Sequence, residues 1–414
     1  MSGGNPFQYP AWDLVTAQPI DTLPYMGVSF GAPLNQPGSF SGSLPLAGLA
    51  VASLQQASAT DAPPIFSYQR ATQVSNTALF VDFNGELIWG GIIWTSSYDS
   101  ADPQKMLKVG AMEFGSYFQQ RLQAEDYSTT WTAPNPAADP MLIAQRILDD
   151  AIAAGTIFGG ITLTLHPSGG EGGPTISPSY PGTSLQTIDS IVSILSQMGY
   201  SVGFDYSFDV AYLPGTRTPG ITLNIWYPRQ GRSAADSQLL LLSTDCTFTY
   251  PVDGTQQATS ITETGSGADG LEPATASTTL PDYPLLQRTF SRAQINDEGT
   301  LSNVTLGDLG LYCFPPVSPT FTVPVWMPDP VTGQVPPEAP LQFGTFDRGD
   351  NFVFRVDPVA GGGMNVDPRF PEGCEFEWRI NSWQCNVADK GLSTIVLTAG
   401  IPPIATIPPP QPPV

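Results

Sequence analysis

A chain of 414 residues is long enough for two or three domains with separate cores, because single cores stop growing near about 250–300 residues. Only 13% of its residues are charged, and 15 Lys and Arg against 37 Asp and Glu leave a net charge of −22, which excludes binding to phosphate backbones or anionic membranes by charge alone. Gly (41) and Pro (43) make up about a fifth of the chain and favour many short strands and long loops over helices, while a hydrophobic share of 41% excludes wholesale disorder.

Residues 1–35 are rich in Pro, Gly and aromatics (Pro6, Phe7, Tyr9, Pro10, Trp12) without helical periodicity. They read as an extended arm that packs its aromatics on a neighbouring subunit. Gln36 to Leu49 reads as an edge strand, because Pro45 cannot donate to a ladder, and Leu49 to Ala57 as a short helix before Pro63-Pro64.

The stretch from Ala78 to Gln120 carries the clearest pattern. Leu79, Val81 and Phe83 alternate with Phe80 and Asp82, and Asn84-Gly85 supplies the positive φ angles of a two-residue hairpin turn. Glu86 to Trp89 returns the chain, Gly90-Gly91 marks a bulge or close backbone approach, and Ile92 to Trp94 continues the strand. A polar loop (Ser96 to Gln104) leads to a third strand, Met106 to Phe114, and to Tyr117-Phe118. The expectation is three consecutive antiparallel strands in one barrel.

Asp139-Pro140 starts a helix as N-cap and first residue, running from Met141 to Ala154 and ending at Gly155. Ile161 to Leu165 is a short strand, residues 167–183 a loop, and Ser184 caps a second amphipathic helix that ends at Gly199. Tyr200 to Phe208 and Ile221 to Tyr227 read as strands joined through Pro214-Gly215, followed by strands Leu239 to Ser243, Cys246 to Tyr250 and Ala258 to Gly265. Residues 266–282 read as a polar linker, Leu285 to Ala293 as a turn of helix, and Val317 to Pro340 as a Pro-rich connector. Phe352 to Val356, Phe376 to Trp383 and Ser393 to Leu397 form a second β unit before a polyproline-type tail. There is no clear internal repeat.

Candidate chemistry is sparse. His166, the sole histidine, sits at a strand end beside a Gly-rich loop that holds Glu171, but no nucleophile or metal is placed with them. Gly199-Tyr200-Ser201-Val202-Gly203 spells a nucleophile elbow in the wrong order, helix before strand. The carboxylate pairs Glu125-Asp126, Asp149-Asp150 and Asp297-Glu298 read as solvated surface. The glycine runs at 169–173 and 361–363 lack the context of a phosphate loop, and Arg348-Gly349-Asp350 reads as a turn into a strand rather than an adhesive tripeptide. Cys246, Cys313, Cys374 and Cys385 lack metal-ligand spacing; Cys374 and Cys385 could face each other across a hairpin, although buried thiols are the plainer reading. No residue is assigned a catalytic, cofactor-binding or metal-binding role, and no cofactor is expected. Without a charged n-region or an apolar run of about 18–20 residues, the expectation is a soluble protein made in a cytosol with no membrane segment.

The order of Leu79–Gly91 and Leu107–Arg121, a hairpin with a polar tip, Trp-Gly-Gly, an apolar strand, a polar loop and a strand leading to Tyr-Phe and Arg121, resembles the tail-hub and minor tail proteins of siphoviruses that infect actinobacteria. Ser260–Ala276 and Leu341–Leu397, with FGTFDRGDNFVFRV and WRINSWQCNV, are similar to further stretches of that family. The resemblance implies a mainly β fold with a small α/β insertion and two tube-type antiparallel β-barrel domains. It divides the chain into an arm (1–35), a discontinuous first barrel (36–125 and 200–276), a helical insertion (126–199), a second barrel (277–400) and a Pro-rich tail (401–414). It implies a non-enzymatic homotrimeric hub ring at the virion tail tip, assembled in the host cytoplasm and continuing the tail tube. Its partners would be the distal tail protein, the tape-measure protein and other minor tail proteins, and genomic DNA would pass an acidic lumen without specific binding. Two other readings are open: a cell-wall hydrolase dependent on His166 and Glu171, and a carbohydrate-binding adhesin using Trp12, Trp131, Trp226 and Trp326.

Overall fold

The computed structural model describes residues 6–46, 67–123, 125–127, 139–155, 157–167, 176, 178, 180–197, 203–265, 271–292, 295, 298–325, 341–358, 370–388 and 393–400. The first part of the chain holds β1 (Phe7–Gln8), β2 (Pro10–Asp13), β3 (Pro19–Thr22), β4 (Met26–Pro33), β5 (Ser39–Pro45), α1 (Ser67–Ala71), β6 (Thr77–Phe83), β7 (Glu86–Tyr98) and β8 (Met106–Glu113). The middle holds α2 (Pro140–Ala154), β9 (Thr162–Pro167), α3 (Ile188–Ser196), β10 (Asp205–Tyr212), β11 (Pro219–Tyr227), α4 (Ala234–Ser237), β12 (Leu240–Leu242) and β13 (Thr247–Thr249). Then come β14 (Ser260–Gly265), β15 (Ala274–Ser277), β16 (Gln287–Arg292), α5 (Glu298–Tyr312), β17 (Thr320–Pro324), β18 (Asn351–Val356), β19 (Cys374–Asn386) and β20 (Thr394–Gly400).

Fourteen strands form one sheet whose main path runs β13-β17-β20-β19-β4-β5-β8-β7-β6-β2-β3, with β1 on β6 and β12-β18 on β19. The ladder between β4 and β19, Ser29 to Pro33 against Ser382 to Asn386, welds the N-terminal and C-terminal halves. Among the described residues no ladder joins β13 to β3, so the expected closed barrels are not seen within one chain. The expected meander is present: β6 pairs with β7 and β7 with β8, all antiparallel. Asn84 (φ 53°) and Gly85 (φ 92°) make its two-residue turn, with Phe83 opposite Glu86.

Strand alternation decides where the core sits. On β6, Leu79 and Val81 enter one hydrophobic cluster while Ala78 and Phe80 enter another, so this part of the sheet is buried on both faces. Irregularities in register then re-aim side chains. The β6–β7 register shifts so that Val81 opposes Trp89 and Asp82 opposes Leu87, leaving Ile88 as the extra residue. Leu87 and Trp89, two apart, therefore face different clusters. The same device has the opposite result on β19, where the shift between Ile380 and Ser382 changes the alternation so that Phe376, Trp378 and Ile380 before it and Trp383 and Cys385 after it all enter one cluster.

Two smaller sheets flank the large one. β10 pairs antiparallel with β11, which pairs parallel with β9, and α2 and α3 complete this α/β unit around the second cluster. The N-cap of α2 is Asp139, whose side chain accepts from Leu142 N–H, with Pro140 as its first residue and Gly155 as C-cap, as read from sequence. β14 pairs antiparallel with β15 and parallel with β16, and α5 packs on them.

Several expectations are corrected. Residues 6–35 are not an arm for a neighbour: Phe7, Tyr9, Trp12, Tyr25 and Phe30 are buried in this chain's own cores, and β4 is a central strand. Residues 200–276 do not all join the first half, since β10 and β11 belong with the insertion, β12 and β13 with the C-terminal half, and β14 and β15 with the third sheet. Leu285 to Ala293 contains strand β16 rather than helix; its burial alternates along the strand. The linker at 266–282 contains β15 and the connector at Val317 to Pro340 contains β17. The second insertion helix is capped by Thr187, not Ser184, and Glu298–Tyr312, for which the sequence predicts no element, forms α5. Cys374 and Cys385 lie on one strand, eleven positions apart, so they cannot face each other; none of the four cysteines is in a disulfide, Cys385 being buried and the others half-buried. The helix expected at Leu49 to Ala57 and the tail 401–414 lie outside the described residues.

Candidate functional site

The most concentrated polar chemistry lies inside the molecule, where six chain segments meet. Arg348, at the start of the turn into β18, is buried with its side chain 4% exposed. Its Nη1 donates to both Glu113 carboxylate oxygens (3.1 Å each) and to Pro33 O (3.3 Å), and its Nη2 donates to Phe208 O (2.5 Å) and Asp209 Oδ1 (3.4 Å). Glu113 is the inward-facing end of β8 and also accepts from Gly38 N–H at 2.6 Å. Burial pushes the Glu113 carboxyl up to about 7, against the pull of Arg348 and Gly38; the neighbouring carboxylates hold Arg348 firmly charged despite its burial.

A second ion cluster adjoins it. Asp205, at the start of β10, has no exposed side-chain surface and pairs with Arg379 of β19 and with Arg229 (3.1 Å). It also accepts from Asn35 Nδ2 (2.9 Å) and Gln230 N–H (2.9 Å). Burial acts to raise its carboxyl, but the two guanidiniums and these donors win, and it is held below the usual carboxylate range. Arg379 reaches further, donating to Gln230 O (2.9 Å) and Gly349 O (3.2 Å). Asp350 accepts from Arg232 Nη2 (2.6 Å), Arg232 N–H (2.8 Å) and Asp347 N–H (2.9 Å). Two glycines let the backbones touch: Gly231 (φ 103°) and Gly349 (φ 89°) face each other, and a Cβ on Gly231 would overlap the Gly349 carbonyl.

Four of the chain's 15 Lys and Arg residues, Arg229, Arg232, Arg348 and Arg379, are committed to this joint. Arg348-Gly349-Asp350 is thus an internal clasp between β8, β10, β18 and β19. The sequence marked the tripeptide but not its partners, which come from 33–38, 113, 205–209, 229–232 and 379. The available signal was the scarcity of arginine in an acidic chain.

The other singled-out residues are not brought together into a reaction centre. His166 lies on β9, stacked on Trp226 (3.7 Å between ring centroids, 9° between planes), and its Nε2 is 2.9 Å from Asn224 Oδ1. Asn224 Nδ2 in turn donates to Asp209 Oδ2 (2.6 Å). Glu171 lies outside the described residues, as do Ser201, Trp131, Trp326, Asp297 and the glycine runs. Gly203 of the elbow spelling precedes strand β10 and no helix. Asp150 accepts from Tyr127 OH (2.8 Å) and Arg146 Nε (3.0 Å), whereas Asp149, Glu125, Asp126 and Glu298 are exposed. Trp12 is buried against Phe158. Among the described residues no three His, Cys, Asp or Glu side chains gather as metal ligands, and no helix is long and apolar enough to cross a membrane.

No family model and no curated protein matches the chain. Solved structures do. A tail protein from Neisseria meningitidis aligns over 96% of this chain and 97% of its own with a TM-score of 0.54 and 10% identity. A 43 kDa prophage tail protein from Shewanella oneidensis aligns over 97% of both chains (TM-score 0.53, 13% identity), and a prophage tail protein from Listeria monocytogenes over 94% of both (TM-score 0.50, 11% identity). The chain has the fold of phage tail proteins from end to end.

Proposed function

We propose that this protein is a structural, non-enzymatic component of a phage tail, a hub at the tail tip of a long-tailed phage. The observation that supports the reading is the likeness to three tail proteins, with coverage of at least 94% in both directions. The sheet suits the role. Its two halves, β1–β8 and β12–β13 with β17–β20, are joined by the β4–β19 ladder, and we read each as one tube-type barrel wall completed by neighbouring copies in a three-fold ring. The distal tail protein and tape-measure protein are the expected neighbours above and within such a ring, with other minor tail proteins around it. The net charge of −22 suits a lumen that DNA traverses without sticking.

A cryo-electron map of the particle carrying this chain tests the reading. The expected result is three copies around the tail axis at the tip, enclosing a channel wide enough for duplex DNA. A chain found on lateral fibres, away from the axis, overturns it. His166→Ala is expected to leave assembly and infectivity unchanged, because the ring stacks on Trp226 rather than on a reacting partner.

A further inference from the structure

The third sheet holds its helix through a buried cluster with one acid more than it has bases. Glu263 of β14 and Asp308 of α5 are both buried, and both face Arg292 of β16. Arg292 Nε donates to Glu263 Oε1 (3.3 Å) and its Nη2 to Asp308 Oδ2, while Thr305 Oγ1 of α5 lies 3.4 Å from Glu263 Oε2. The two carboxyls also hydrogen-bond each other, a contact that requires a proton on one of them. The other charged groups of these elements are engaged elsewhere or exposed. β15 carries no titratable side chain, Arg288 of β16 lies over the Phe290 and Tyr312 rings and donates to Gln256, and Glu298 at the start of α5 is exposed. Without the shared proton, two carboxylates would confront one guanidinium where little water can screen them.

The far end of α5 is fastened differently. Ala258 N–H donates to Tyr312 O (2.8 Å), Gln257 Nε2 donates to Cys313 O (2.9 Å), and Leu309 packs with Ala258, Ile261 and Ala276. We propose that the proton shared by Glu263 and Asp308 is a latch: when it leaves, the carboxylates repel and the part of α5 before Leu309 swings off the third sheet about its tether at Tyr312 and Cys313. Opening uncovers Leu301 and Val304, and it loosens the third sheet, because α5 is the chain's link from β16 to β17 of the large sheet. Burial first, and then the Asp308 carboxyl, pushes Glu263 up to about 7 from its ordinary 4.5. The closed form keeps a proton that the open form gives up, so the latch is fully held below pH 4.5, weakens as pH rises to 7 and changes no further above that.

Hydrogen exchange of the full chain from pH 5 to pH 8, corrected for the intrinsic rate, tests the latch, with amides 79–81 of β6 reporting global unfolding. One proton allows up to about tenfold per pH unit, and protection of amides 302–308 is expected to fall at least tenfold between pH 5 and pH 7, more than at 79–81, and then level off. Glu263→Gln, whose amide donates to Asp308 at every pH, is expected to flatten the response of α5 and leave that of β6 in place. Asp308→Asn, which removes the other carboxyl, is expected to flatten it as well. Protection of α5 that ignores pH, a response that persists in correctly folded Glu263→Gln or Asp308→Asn, or equal falls at 302–308 and 79–81 overturns the proposal.

Discussion

Single residues in the ionic joint carry consequences out of proportion to their number. Gly231 sits at φ 103° against the Gly349 carbonyl, so Gly231→Ala combines an unfavourable backbone with a clash that no side chain can relieve. The expected loss is about 2–4 kcal/mol of unfolding free energy in urea, from left-handed strain plus overpacking. Arg348→Met is expected to cost about 3–5 kcal/mol because it strands the buried Glu113 carboxylate, and adding Glu113→Leu should return much of that loss, which a double-mutant cycle measures. The pH dependence has a definite sign. Glu113 titrates near 7 in the folded chain against an ordinary 4.5, so the stability tied to its proton is fully present below about pH 4.5 and lost as pH rises through 7. Glu263, buried on β14 against Asp308 and Arg292, is raised to about 7 by burial and by its acidic neighbour and acts in the same direction. Asp205 is lowered, so its contribution is present above 3.8 and lost as pH falls below that. Urea midpoints should therefore fall between pH 5 and pH 8, and Glu113→Gln should flatten that fall by up to about 1.4 kcal/mol per pH unit. Self-repulsion of the −22 chain falls equally on both variants, so the difference isolates Glu113.

At the scale of elements, β7 shows how much a strand can do with two glycines and two register shifts. A Cβ on Gly91 would overlap the Met112 carbonyl of β8, and one on Gly90 would lie 2.7 Å from the Phe80 ring. Gly91→Val is expected to part the β7–β8 ladder and cost about 3 kcal/mol, visible as faster amide exchange at Ala111 to Glu113. The turn at Asn84-Gly85, the cap at Asp139 and the close approach at Gly90-Gly91 were legible because each is a local demand on φ, on a free N–H or on a missing Cβ. β16 and β17 were not. Their strand character is set by β14 and β20, which lie 27 or more residues away along the chain, and prolines around β17 disguise it. α5 has no amphipathic signature in the sequence, because Gly and Thr interrupt it and Leu306 and Leu311 are exposed, so its apolar residues form no single stripe.

For the molecule as a whole, the open path of the fourteen-stranded sheet is the feature that assembly must answer. Both ends of that path are short, four residues in β3 and three in β13, and each presents backbone N–H and C=O groups to which a further strand could pair. The ring proposed here covers such edges with neighbouring copies, and the purified chain is expected to form trimers at high protein concentration, read by mass photometry or analytical ultracentrifugation. A strictly monomeric chain that also fails to join a tail in reconstitution contradicts that arrangement.

The sequence by itself determined the mainly β character, the central meander, the first insertion helix and the acidic surface, because composition, two-residue periodicity and turn chemistry act over a few neighbouring positions. Only the tertiary structure decided that residues 6–35 belong to the core, that the α/β unit claims β10 and β11, and that Arg348-Gly349-Asp350 is a buried clasp. Those outcomes depend on which distant strand supplies hydrogen bonds and which distant carboxylate meets a buried guanidinium. No local pattern encodes either, since pairing is settled by burying apolar faces and satisfying polar groups over the whole chain at once.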